Sequence, residues 1–184
     1  MDWKTGLTLS VSVLLATIGY IATYLNNLRL AQRKDRLDRL DRQLRDLYGP
    51  LLALVNASTT TWQAFVRAYV ETDFFRGGLP VALENEENAA HWRHWMSTVF
   101  MPLNEEMARI VLAHTDLMED AVMPQCLLAL TAHVHGYRGV VKAWERGDFS
   151  QHFSLVAFPA PELLGYVSEH YQTLKRRQAL LLGA

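Results

Sequence analysis

The chain is poor in the features that announce a chemistry. It has one cysteine, Cys126, so no intramolecular disulfide can form, in keeping with a reducing compartment. Its formal net charge is −1, which provides no general attraction for polyanions, and nucleic acid is not expected as a partner. There is no Gly-rich phosphate loop, no Cys-x-x-Cys pair, no His-Glu-x-x-His and no Gly-x-Ser-x-Gly. These absences set aside the commonest nucleotide, zinc and serine-hydrolase signatures, so no catalytic residue and no cofactor is assigned. Internal repeats, low-complexity tracts and a second-domain linker are lacking. Strict alternation of apolar and polar residues is lacking too, so strands are not expected.

What is present begins with one uncharged apolar run, LTLSVSVLLATIGYIATYL, 19 residues from Leu7 to Leu25. At about 1.5 Å of rise per residue it would span roughly 28 Å, close to the hydrocarbon core of a bilayer. Its polar atoms are mostly hydroxyls, on Thr8, Ser10, Ser12, Thr17 and Thr23, which can bond their own helix backbone. Trp3 lies at one end and Tyr20 and Tyr24 toward the other, as in an interfacial aromatic belt. The run is longer than a signal-peptide core, its leading flank is barely basic and no small-x-small cleavage site follows, which favours an anchor. Before it stands Lys4; after it come Arg29, Arg33, Lys34, Arg36, Arg39, Arg42 and Arg45. The positive-inside bias then predicts an external N-terminus and a cytoplasmic segment from 26 to 184. Arg29, Arg33, Lys34 and Arg36 are expected to meet anionic lipid headgroups. Ser12 and Ala16 form a small-x-x-x-small pair, a faint signal for helix pairing within the membrane.

The basic block also carries a leucine seam. Leu37, Leu40, Leu44, Leu47, Leu51 and Leu54 alternate spacings of three and four, the period of a left-handed coiled coil. Asp35–Arg39, Asp38–Arg42 and Asp41–Arg45 are i,i+4 pairs with the acid first, the better orientation. Two readings of the seam stand. In one, Leu37, Leu40, Leu44 and Leu47 pair with a second copy, helped by Arg36 facing Asp41 and opposed by Arg29 facing Lys34. In the other, they pack on the chain's own helices. Gly49-Pro50 interrupts the run and predicts a kink or short break.

From Leu51 the apolar spacing remains helical. Trp62, Phe65, Val66 and Tyr69 share a face, and residues 73–87, with Gly77, Gly78 and Pro80, read as a loop. Trp92, Trp95, Met96, Val99, Leu103, Met107, Ile110, His114 and Leu117 keep helical spacing across Pro102, as one kinked helix or two in tandem. A further helix opens at Pro124 and runs to about Glu145, with Gly147 as its stop; a last one opens at Pro161 and ends near Leu182. The expected fold is all-α: a transmembrane anchor (1–26), a basic heptad stalk (27–50) and an antiparallel helical bundle (51–184).

Seven histidines are the material for any metal or proton-transfer site. His91 and His94 share one side of a helix with Glu87 a turn earlier, as in helical-bundle metal sites. The spacing is Glu-x-x-x-His rather than the Glu-x-x-His of such sites, and half-exposed surface residues are the plainer reading. His114 and His133 lie on apolar faces; a cluster with Glu105 or Glu106 is one option, a buried hydrogen-bonded imidazole the other. Cys126 in MPQCLLAL reads as a buried thiol rather than a nucleophile. Asn104-Glu105-Glu106 reads as a solvated helix start or a cation contact.

The stretches RQLRDLYGPLLALV (42–55), WRHWMSTVFMPLNEEM (92–107), HTDLMEDAVMPQCLLALTAHVHGYR (114–138) and PELLGYV with YQTLKRRQALLL resemble a family of uncharacterised bacterial proteins with one N-terminal membrane span. That resemblance implies the bacterial inner membrane as an address and supplies no activity, cofactor or site residue. The function expected is a non-enzymatic, membrane-anchored cytoplasmic interaction or scaffold module, self-associating or binding another protein. The alternative is a helical-bundle enzyme or sensor that binds a metal or ligand through His and Glu residues.

Overall fold

The computed structural model describes residues 3–69, 75–76, 79–80 and 86–183, with side chains over 14–68 and 86–183. Helix α1 (Trp3–Arg42) passes through a π turn (Gln43–Tyr48) into α2 (Gly49–Tyr69). Arg42 and Gly49, which flank the turn, both keep right-handed helical dihedrals, so of the kink or short break expected at Gly49-Pro50 the break is absent and a π turn stands there. The physical reason lies in Pro50. Its ring would collide with the carbonyl four residues back in a regular helix, and it has no N–H to donate. Widening the preceding turn relieves the conflict: the Gly49 N–H reaches the carbonyl of Leu44, five residues back. The same widening brings that carbonyl to where a side chain would start, since a Cβ on Gly49 would lie 2.3 Å from the Leu44 oxygen. At this first turn the widening that admits Pro50 leaves no room for a side chain at position 49.

The device recurs at Pro102. Helix α3 (Glu86–Trp95) runs through a π turn (Met96–Phe100) into α4 (Met101–Ala113), with the Met101 N–H bonded to the Met96 carbonyl. Of the two alternatives read from the sequence the structure has the single continuous helix, with a widened turn before the proline. A 3₁₀ turn (Thr115–Leu117) then leads to α5 (Gln125–Glu145), which ends where Gly147 takes a φ of 79°. Helix α6 (Ala160–Leu182) follows an irregular segment and carries its proline in the first turn. Within the stretch read as a loop, β1 (Phe75–Arg76) pairs antiparallel with β2 (Leu79–Pro80), with Phe75 opposite Pro80. Two residues per strand are too few to show alternation. Residues 70–74, 77–78 and 81–85 of that stretch lie outside the described residues.

The described residues are all-α apart from that short pair, and they form a helical bundle. Helix α6 packs on α1, on the first π turn, on α2 and on α5, while α4 packs between α2 and α5. It runs antiparallel to α1: Arg33 meets Leu181, Asp41 meets Gln178, and Tyr48 meets Tyr166. Leu40, Leu44, Leu47 and Leu51 are buried in one core with Leu163, Val167 and Leu174 of α6. Each such leucine contributes about 1.5–3 kcal/mol of burial. The leucine seam is therefore filled by the chain's own last helix from Leu40 onward, while Leu37 is half-buried. The core thus begins inside the segment 27–50, not after it. A second aromatic part of the core joins Trp62, Phe65, Trp92, Trp95 and Phe100, with ring centroids 5.2 Å apart at the Phe65–Trp95 pair.

Toward its N-terminus α1 leaves the bundle. Leu14, Leu15, Ile18, Ile21, Leu25, Leu28 and Leu30 are all exposed. Among the described residues no helix is long and apolar enough to cross a membrane. The side chains of residues 7–13, the opening of the apolar run 7–25, lie outside those described.

Candidate functional site

Glu87, His91 and His94 lie on the exposed side of α3. His114 is half-buried at the end of α4, and His133 is buried in α5. Among the described residues no three of His, Cys, Asp and Glu lie together as a metal site, so these five are not assembled into one. The Asn104–Glu106 candidate is spent differently. Glu105 pairs with Arg138 at 2.6 Å, and Glu106 with Arg109 at 2.6 Å, while Asn104 is buried. Cys126 is half-buried rather than buried as expected, and that burial raises its thiol pKa, which favours the protonated form at neutral pH.

His133 has a structural task. Its Nδ1–H donates to the Val156 carbonyl at 2.7 Å, and burial lowers its affinity for a second proton. Three neighbours act alike on the segment between α5 and α6. The Trp92 indole donates to the His152 carbonyl at 3.1 Å, the Tyr137 hydroxyl to the same carbonyl at 2.6 Å, and the Trp144 indole to the Gln151 carbonyl at 2.8 Å. Burial keeps the Tyr137 phenol protonated far above its usual range, so it remains a donor. These four side chains satisfy the carbonyls of an irregular segment that has no helix to do so.

A different polar group sits against the first π turn. Tyr48 is the last residue of that turn; Asp120 comes from the segment before α5, and Tyr166 and His170 come from α6. The Tyr166 hydroxyl donates to Asp120 Oδ2 at 2.7 Å. With that proton committed, the Tyr48 hydroxyl, 3.3 Å away, donates to the Tyr166 oxygen. His170 stacks on Tyr48 with ring centroids 5.2 Å apart, and its Nε2 lies 3.6 Å from Asp120 Oδ2. Its Nδ1–H donates to the Tyr166 carbonyl at 2.9 Å. Beside it Glu119 is paired with Arg177 of α6. Burial, then the hydrogen bonds to Tyr48 and Asp120, drive the Tyr166 phenol well above its ordinary value; burial raises Tyr48 as well. Both phenols are therefore hydrogen-bond donors at neutral pH and not bases. The chain Tyr48–Tyr166–Asp120 ties α6 and the segment before α5 to the π turn.

Sequence reasoning passed over this group because its members come from three distant segments. The one local signal was Tyr166 with His170, four apart on one side of a helix. Lys175 and Arg176 of α6 are exposed, and α6 ends level with Arg33. No family model matches the chain, and no curated protein or solved structure is significantly similar to it.

Proposed function

We propose that the protein is a non-enzymatic interaction module held at the bacterial inner membrane by residues 7–25, with its helical bundle on the cytoplasmic side. One observation carries the reading: from Leu14 to Leu30 the apolar side chains of α1 project from a helix that the bundle leaves uncovered. Exposing that many large apolar groups on one arm is costly in water, and a bilayer would cover them on every side. The basic block from Arg29 to Arg36 follows at once and suits anionic headgroups on the cytoplasmic leaflet. The resemblance to single-span bacterial proteins agrees with this address. Partner binding is then left to the bundle surface, because the seam leucines Leu40, Leu44 and Leu47 are occupied from within.

Alkaline extraction of membranes tests the anchor. Leu15→Arg with Ile18→Arg places two charges where each costs about 2.5–3.5 kcal/mol in a spanning helix. The wild-type chain is expected to stay in the pellet and the double variant to move to the supernatant still folded, as neither side chain is covered by the bundle. A wild-type chain that extracts freely would end the reading.

A second reading, a ligand- or metal-responsive bundle, has one observation in its favour. The Tyr48–Tyr166–Asp120–His170 group abuts a π turn, a distortion that recurs at functional sites. Stoichiometric metal in full-length protein prepared without chelators, and its loss in His170→Ala, would favour that reading over the first.

A further inference from the structure

We infer that the groove between the second π turn and the C-terminal end of α5 receives an arginine side chain of a partner protein, stacked on Phe149 and paired with Glu145. This rests on the interaction-module reading and names the chemistry by which the bundle surface would hold its partner. Arg93, Thr98, Val141, Trp144, Glu145 and Phe149 are among the residues that line the groove, which has a volume of about 330 Å³. That is the small end of the range for binding sites, room for one long side chain. Its charge balance favours a cation. The Arg93 charge is spent within the chain: the guanidinium pairs with Glu86 and lies 4.0 Å from the centroid of the Phe149 ring. Its Nη1 has no hydrogen-bond partner, but that atom is buried, out of reach of a ligand in the groove. Glu145 is exposed and makes no ion pair among the described residues. Neither Lys142 nor Arg146, its neighbours along the chain, lines the groove. Glu145 also closes α5, where the helix dipole adds partial negative charge.

The other walls select the shape of the cation. Arg93 covers one face of Phe149, yet the residue is 42% exposed, which leaves ring surface for a second cation. A planar guanidinium stacks on such a ring better than a compact, strongly hydrated ammonium, which favours arginine over lysine. The Thr98 hydroxyl donates to the His94 carbonyl at 2.6 Å, so its oxygen is left to accept from an incoming N–H. Val141 and Trp144 supply apolar surface for the methylenes of the stem. An acidic side chain would meet Glu145 and the end of α5 with like sign, and would find Arg93 already paired.

The test is a titration of the full chain in lipid nanodiscs, read from the backbone amide resonances of Ser97, Thr98 and residues 145–149. The probes are acetyl-Ala-Ala-Arg-Ala-Ala-amide and the same peptide with citrulline or glutamate in place of arginine. Citrulline keeps the planar group and removes its charge. The arginine peptide is expected to bind about three- to tenfold more tightly than the citrulline peptide, the worth of one exposed ion pair and one cation–π contact. Glu145→Gln and Phe149→Leu should each cut that preference to about twofold or less, as one of the two contacts is lost. Unmoved resonances elsewhere in the bundle would show that both variants remain folded. Equal binding of the arginine and citrulline peptides, tighter binding of the glutamate peptide, shifts centred away from the groove, or a preference that survives both substitutions overturns the inference and leaves the anchored module standing. Protein that does not enter the discs overturns the anchor instead, and the same titration in detergent micelles still decides the groove.

Discussion

Gly49 is the residue on which two opposed effects can be separated. In a regular helix alanine is favoured over glycine by about 1 kcal/mol. Here its Cβ would meet a backbone carbonyl, not a flexible side chain, so the turn itself would have to move. Gly49→Ala is therefore expected to destabilise the protein by roughly 1–3 kcal/mol, the usual cost of overpacking. Urea unfolding measures it, and a stabilised variant would show that no π turn precedes Pro50. His133 supports a second expectation, with the sign set by burial. Its folded-state pKa lies below the unfolded value of about 6.5. Above that pH neither state binds the extra proton. As pH falls through about 6.5 toward the depressed folded value, the unfolded state takes the proton first and stability is lost. His152, also lowered by burial, acts in the same direction. Unfolding curves across this range should show the slope, and His133→Gln, which can still donate to Val156, should flatten it.

At the scale of elements, α6 is the piece that joins the others. Leu174 is fully buried where α6 meets the core, so Leu174→Ala should cost about 2–5 kcal/mol in the same unfolding experiment. Tyr166→Phe is a subtler change, because it leaves Asp120 without its donor and Tyr48 without its acceptor. Asp120 is exposed and can turn to water, so a loss of about 0.5–1.5 kcal/mol is expected. Faster amide exchange in the segment before α5 would locate the damage there. The positions of the helices were largely legible: Pro124, Gly147 and Pro161 mark real boundaries because proline and glycine act through local backbone geometry. The two widened turns were not, because the same proline that signals a kink can be absorbed by one extra residue per turn. Nor was the partner of the leucine seam, since a period of 3.5 describes a stripe and not what covers it. The Tyr48–Tyr166–Asp120–His170 group depends on which distant segments meet, information that spacing along one chain does not hold.

At the scale of the whole molecule, the boundary read at residue 50 has a definite consequence. A chain beginning at Leu51 lacks Leu40, Leu44, Leu47 and Tyr48, all of them buried in the core. Such a fragment is expected to lose cooperative unfolding, whereas one beginning near Leu28 should keep it; thermal melts followed by circular dichroism distinguish the two. The continuity from Trp3 to Tyr69 bears on more than stability. A tether with a flexible joint would let the bundle sample every direction above the bilayer. Among the described residues there is no such joint: in the proposed anchored arrangement the span and the innermost core share one shaft, about 66 Å long from Leu25 to Tyr69. A change of about 10° in the inclination of the span would sweep the far end through roughly 11 Å. In the proposed anchored arrangement, whatever alters the thickness or curvature of the membrane would thus reach the bundle as leverage.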